Sequence, residues 1–127
     1  MRETRYWIWF IMAGIVILFL GGLHMTTVHL NGVVGIFNPA GSDAVAWNNV
    51  AYRARSVFFT LIYIILAGAV LYHGFYGLRT ILLELGLQKA TERRLTVSLW
   101  VIGIILFVIS TFAVFAAKTA ATNLYEG

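Results

Sequence analysis

Three long apolar segments, separated by polar connections, dominate the hydrophobic pattern of the chain. They cover about residues 7–23, 57–78 and 95–117. A helix needs ~20 apolar residues to cross the hydrocarbon core of a bilayer, and isolated strands in that core would leave their backbone groups without hydrogen bonds. The pattern therefore predicts an all-α membrane protein with three transmembrane helices in one domain, residues 1–127. With their flanks, we expect these helices to extend over about 7–30, 52–84 and 95–120.

The long connection between the first two spans contains the sole proline, in the turn-forming segment "FNPAGSDAVAWNN". Ser42 or Asp43 could cap a helix that begins outside the bilayer and leads into the second span. Such a helix would be amphipathic, with Trp47 and Tyr52 suited to the membrane interface. The alternative is an ordered surface loop.

The second connection, "ELGLQKATERR", is short and charged. Gly86 is well placed to end the preceding helix, because glycine readily adopts the left-handed conformation at helix C-termini. The second and third spans are therefore expected to be antiparallel neighbours. The chain carries no glycine-rich phosphate loop, zinc-ligand spacing or nucleophile elbow, so soluble-enzyme chemistry is not expected.

Composition and charge support a membrane protein and predict its orientation. Hydrophobic residues make up 61% of the chain and charged residues only 11%, far outside the range of soluble domains. The first span begins as a secretory signal would, but it is longer than a usual signal and lacks an A-x-A cleavage pattern, so we expect it to be retained.

Most cations would lie on one side of the membrane: Arg2, Arg5, Arg79, Lys89, Arg93 and Arg94, against Arg53, Arg55 and Lys118 on the other. The positive-inside bias then predicts a cytoplasmic N-terminus, and the net charge of +4 reports topology rather than nucleic-acid binding.

A polar stripe on the second span is the main candidate site. The chain contains no cysteine, so a metal centre would have to depend on histidine. Since a helix advances ~100° per residue, Gly77, Thr80 and Glu84 fall within roughly 40° of His73, whereas Arg79 points well away. A histidine facing lipid would be costly, and Gly77 leaves room for a flat group beside the imidazole. The stripe therefore suits an axial ligand of a b-type haem, which needs a neutral imidazole in a dry, rigid site.

Other roles for His73 stay open on the residues alone. It could form a hydrogen bond to a neighbouring helix, since glycine at +4 is common wherever spans pack closely. It could also belong to a proton relay. A haem site here would be half a site, because the third span has neither histidine nor methionine, and a second membrane subunit would be needed.

Two more histidines lie near the outer end of the first span, in "GLHMTTVHL". His24 and His29 are ~140° apart around a helix, so they cannot serve the same face. His24 lies closer to the apolar run and is the better candidate for a buried ligand, whereas His29 fits the aqueous boundary. By helical rise, His24 is near the outer surface and His73 is in the inner leaflet, so they cannot share one iron.

The chain resembles the small membrane-anchor subunits of succinate dehydrogenase and fumarate reductase. In those anchors the second helix carries a haem-ligating histidine, glycine at +4, often arginine at +6, and an acidic residue at +11 before a short charged loop. Here those positions are His73, Gly77, Arg79 and Glu84, followed by "LGLQKATERR". The "GLHM" segment is similar to the first-helix ligand region of two-haem anchors, which would map onto His24.

The resemblance implies roles for these residues. His73 would be an axial ligand of haem b, and His24 would be a ligand of a second haem where two are bound. Gly77 would pack against the haem, and Arg79 would pair with a haem propionate or with lipid phosphate. Glu84 would lie near the quinone.

The implied function is that of a membrane-anchor subunit of a succinate:quinone oxidoreductase. With a second anchor subunit it would hold haem b, seat an iron–sulfur subunit and a flavoprotein subunit on the cytoplasmic face of the cell membrane, and pass electrons to or from quinone. Leu85 stands where many anchors have a quinone-binding tyrosine, so companion subunits would supply most quinone contacts. The alternatives are a haem-free structural subunit and a small transporter, although the spans lack a pair of broken helices.

Overall fold

The computed structural model describes residues 2–30 and 37–126, and within these ranges it contains helices and connections but no strand. The α-helices in these ranges are α1 (Arg2–Val16), α2 (Gly22–His29), α3 (Trp47–Arg55), α4 (Val57–Leu83) and α5 (Lys89–Glu126). A π-helical segment, Ile17–Gly21, joins α1 to α2, so that residues 2–29 form one continuous rod.

Three helical stretches in the described part of the chain are long and apolar enough to cross a membrane: Glu3–His29, Val57–Leu83 and Lys89–Tyr125. Their large apolar side chains are mostly exposed, and Leu18 and Phe112 each keep more than two thirds of their surface. Such surfaces are stable against lipid or partner helices rather than water. The prediction of an all-α protein with three transmembrane helices is confirmed.

The helix bounds differ from the expected ones at the start of each span and at the end of the third: the first begins at Arg2 rather than at about residue 7, and the third ends at Glu126 rather than at about residue 120. The second span begins at Val57 because Ser56 has an extended backbone, with ψ 125°, which separates α3 from α4. The third helix begins already at Lys89, since the charged segment before the apolar run consists largely of good helix formers. At 38 residues α5 is ~57 Å long, more than the ~40–45 Å of a whole bilayer.

Helix α4 lies in the middle of the three and is antiparallel to the first helical rod. His24, late in the rod, contacts Tyr63 near the start of α4. Phe10, early in the rod, contacts His73 in the second half of α4. The rod therefore packs along α4 over most of its length.

Helix α5 packs on another side of α4, with glycines facing phenyl rings. A Cβ on Gly68 would lie 3.2 Å from the Phe107 ring, and one on Gly103 would lie 3.4 Å from the Phe75 ring. Gly86, between the two helices, has a φ of +69° and so takes the predicted left-handed conformation after the end of α4. The prediction of antiparallel neighbours is confirmed.

A helix does lie in the long connection, but its predicted start is wrong. The Asp43 carboxylate accepts a hydrogen bond from the Val45 N–H (3.1 Å), which holds the backbone in a turn. The helix begins only at Trp47, and Ala46 occupies its N-cap. At its other end the Arg55 guanidinium lies 3.9 Å over the Tyr125 ring and so ties α3 to the end of α5.

A buried asparagine holds the loop before α3. Asn49 is 0% exposed, and its side-chain amide donates to the carbonyls of Gly41 (3.1 Å) and Asp43 (2.8 Å). Its side-chain carbonyl accepts from the Ala40 N–H (2.9 Å). One side chain thereby forms hydrogen bonds with backbone groups of three loop residues, in keeping with the rule that buried polar groups are hydrogen-bonded.

A buried arginine completes this polar cluster. Arg53, 4% exposed, donates to the Asn38 side chain and to the Ala44 carbonyl (2.6 Å). Asn38 in turn donates to the Thr27 carbonyl in α2 (3.0 Å). The loop is thus fastened to both α2 and α3.

Candidate functional site

His73 is half-buried between α4 and α1, and its imidazole is fixed by two contacts with Phe10. Nδ1 lies 3.1 Å from the Phe10 carbonyl oxygen, and the two rings stack at 4.1 Å with an interplanar angle of 7°. A carbonyl oxygen can only accept, so a hydrogen bond here places the proton on Nδ1. Nε2 of the neutral ring is then left with a free lone pair, the form in which histidine binds metals.

Gly14 permits this approach of His73 to α1. A Cβ at Gly14 would lie 3.2 Å from Cε1 and 3.4 Å from Nδ1 of the imidazole, closer than most carbon contacts. A side chain there would push the ring away from the Phe10 carbonyl. Gly14 is not among the residues predicted from the sequence, although a glycine within an apolar span is itself a sign of close helix packing.

Gly77 faces the same helix as His73. Its missing Cβ would lie 3.3 Å from the Phe10 ring, so the space that this glycine leaves open holds a phenyl group here. A porphyrin in that same space would require the Phe10 side chain to rotate. The predicted packing of Gly77 against haem stays a prediction.

The remaining residues of the stripe lie apart from His73. Thr80 is exposed and donates to the Tyr76 carbonyl of its own helix (2.9 Å). Glu84 follows the last residue of α4 and is exposed, ~16 Å along the helix from His73. Its place near a quinone stays a prediction.

Arg79 lies on the side of α4 that packs on α5. Its Nε donates to the Thr96 hydroxyl of α5 (3.0 Å). His73 and Gly77 face α1 instead. The structure therefore does not bring Arg79 together with them, as the angular spacing predicts.

His24 lies at a separate level, between the first helical rod and α4. Its ring meets the edge of the Tyr63 ring at 5.8 Å, and its Nδ1 is buried with no hydrogen-bond partner among the described residues. Tyr63 precedes His73 by ten residues, or ~15 Å of helix. The two histidines thus lie between the first helical rod and α4 at two depths, whereas His29 is exposed at the end of α2.

The described residues contain no group of three or more metal-ligating side chains. Comparison with protein families gives a match to the model of the succinate dehydrogenase/fumarate reductase transmembrane subunit over residues 2–119. This range includes all three histidines and most of the third span. Searches of curated proteins and of solved structures gave no match.

Proposed function

The chain belongs to the succinate dehydrogenase/fumarate reductase transmembrane subunit family, and from this premise we propose that it holds haem b in the membrane and passes electrons between an iron–sulfur subunit and quinone. A second anchor subunit completes the haem site, and a flavoprotein subunit carries the dicarboxylate chemistry. The chain lies in the cell membrane with its N-terminus in the cytoplasm, because most of its cations are then inside. It is not catalytic alone.

One observation carries this proposal: the contact between His73 Nδ1 and the Phe10 carbonyl. A second-shell acceptor on one ring nitrogen fixes the orientation of the imidazole and leaves the other nitrogen available to a metal. Transmembrane helices exclude water, and a b-type haem requires a site without water. Phe10 and Gly14 therefore act as positioning residues for His73.

The residues present fit half of a haem site. The protein part consists of one imidazole at the level of His73, with a small residue, Gly77, one turn further on. The bound haem would supply a one-electron redox centre, whose potential depends on the axial ligands and burial. The companion anchor subunit would supply the other residue that holds the haem.

His24 supports a second haem at the other depth. A buried ring nitrogen without a partner costs free energy, about 1–3 kcal/mol for a neutral group. Rotation of the ring that brings this nitrogen to a metal ion or to a donor of the companion subunit would remove that cost. The Tyr63 ring meanwhile fixes the orientation of His24 from α4.

The absorption spectrum of the purified complex tests the proposal. We expect a Soret band and, after reduction, the narrow bands of a b-type haem, because His73 offers a neutral nitrogen in a dry site. A complex that contains this chain in full yield but has neither feature would rule the proposal out.

The number of haems is tested by the His24→Ala variant. We expect loss of about half the haem iron per complex, since His24 and His73 are too far apart to share one iron. His29→Ala is the matched control, as it removes an exposed histidine from the same helix. Unchanged haem iron in the His24 variant would show that His24 is not a haem ligand, and it would support a single haem.

A haem-free structural subunit is the second candidate, and one observation favours it. His73 already makes a hydrogen bond and a stacking contact within this chain. Those contacts alone would give a transmembrane histidine a packing role. The same spectrum of the purified complex separates the two functions.

A further inference from the structure

A groove runs between α4 and α5 on the side of α4 where Arg79 lies. It has a volume of about 270 Å³. Its walls are mostly aromatic and aliphatic, and the one charged residue of its described lining, Arg79, lies at one end, where the guanidinium meets the hydroxyl of Thr96. Residues along it include Gly68, Phe75, Trp100, Ile104 and Phe107. The groove therefore has the polarity of an amphiphile, with one cationic end and a long apolar part.

The groove has the length of one membrane leaflet. Its lining extends along α4 from Gly68 to Arg79, eleven residues or ~16 Å. Half of a ~30 Å hydrocarbon core is ~15 Å. Arg79 lies only four residues before the end of α4, so the cationic end falls close to the membrane surface.

The cationic end has free donors and further positive charge. Among the described residues, Nε is the only nitrogen of Arg79 that forms a hydrogen bond, so both terminal nitrogens are available to an acceptor. Lys89 and Arg93 are exposed and lie within ~60° of Thr96 around α5, in the turns beyond it. Glu92 contributes one negative charge to the same face. The surface is therefore net positive.

We propose that this groove binds one anionic phospholipid, with its phosphate on Arg79 and one acyl chain between α4 and α5. Arginine binds phosphate through two parallel hydrogen bonds, and here Thr96 already holds the guanidinium in place. The net positive surface favours a lipid with net negative charge over a zwitterionic one, by about 1 kcal/mol per cation. A neutral quinone would make no use of these charges. The site lies away from the α1 side of α4, and it does not depend on the proposed haem.

Native mass spectrometry of the intact complex tests the proposal. The complex is delipidated in detergent and titrated with phosphatidylglycerol or phosphatidylcholine, and the lipid-bound fraction is counted. We expect phosphatidylglycerol to bind more tightly, and the Arg79→Gln variant to bind it about five- to tenfold more weakly. Arg94→Gln is the matched control, since Arg94 lies ~160° from Thr96 around α5.

A second pair of variants tests the position of the acyl chain. Ile104 lines the groove and is 57% exposed, whereas Ile105 is 51% exposed and lies outside the lining. Ile104→Trp should fill the groove and weaken binding of phosphatidylglycerol, and Ile105→Trp should leave it unchanged. Both positions are open enough to accept the larger ring.

Where lipid is bound, four results would overturn the proposal. They are equal binding of the two lipids, equal binding by the two arginine variants, equal binding by the two tryptophan variants, and displacement of the lipid by inorganic phosphate at the same concentration. The last would identify a plain anion site. A groove covered by a helix of the companion subunit would give no countable lipid and would also refute it.

Discussion

Replacing His73 by alanine is expected to abolish the reduced b-type absorbance of the haem at its level, while the chain still inserts and assembles. If one haem is bound, all of the absorbance is lost, and if two are bound, about half remains. The reason is that the other two histidines, His24 and His29, lie far from this depth, and three apolar spans drive insertion without His73. Reduced-minus-oxidised difference spectra of the purified complex, normalised to its protein content, measure the loss.

The contact that positions His73 can be probed from the opposite helix. Gly14→Ala places a Cβ 3.2 Å from the imidazole and should shift the midpoint potential of the haem or lower its occupancy. Gly22→Ala is its matched control, because nothing lies within 4 Å of a Cβ there. A haem spectrum unaltered by His73→Ala would remove His73 from the proposed role, whatever the glycine variants show.

Asn49→Ala is expected to destabilise the loop before α3 by about 2–3 kcal/mol, because it removes three hydrogen bonds from one buried side chain. Water can reach part of the exposed loop backbone and replace some of the lost hydrogen bonds. The loss of stability is therefore smaller than the full desolvation penalty of three unpaired groups. Hydrogen exchange of the Ala40 amide is the direct measurement, since its N–H donates to Asn49. Exchange should accelerate by roughly 30- to 150-fold.

The neighbouring Asn48 provides the control for this prediction. It is exposed, so Asn48→Ala should leave exchange at Ala40 within a few-fold of the native rate. Equal protection of Ala40 in the native protein and in Asn49→Ala would show that the loop is held by other contacts, with Arg53 as the next residue to test.

The fold was largely predictable because long apolar segments have few alternatives in a bilayer. The number of spans, their antiparallel order and the left-handed Gly86 all follow from local sequence. The break at Ser56 and the late start at Trp47 did not: Ser56 takes an extended backbone, and the Asp43 carboxylate accepts from Val45 in a turn instead of capping a helix. Other features depend on residues far apart in the sequence. Arg53 shows this best: the sequence marked it only as an outer charge, whereas its buried role depends on Asn38 and Ala44, which local patterns do not connect to it.

The positions of the candidate-site residues around α4 could be predicted, but the residues of other helices that contact them could not. Helical periodicity correctly separated Arg79 from His73 and placed Gly77 on the same side. It could not show that Phe10 and Gly14 of α1 would meet His73, because the register between two helices is set by packing along their whole length. The π-helical segment Ile17–Gly21 likewise could not be predicted from a fixed period of 3.6 residues per turn.

The length of α5 fixes how the protein responds to bilayer thickness. Between Arg94 and Lys118, which both favour the aqueous boundary, α5 rises ~36 Å, about 6 Å more than an average hydrocarbon core. A thick, sterol-rich membrane would leave this helix nearly upright, whereas a thin one would tilt it or draw the two cationic side chains inward. Because α5 packs along α4, such tilting would be transmitted to the helix that carries His73.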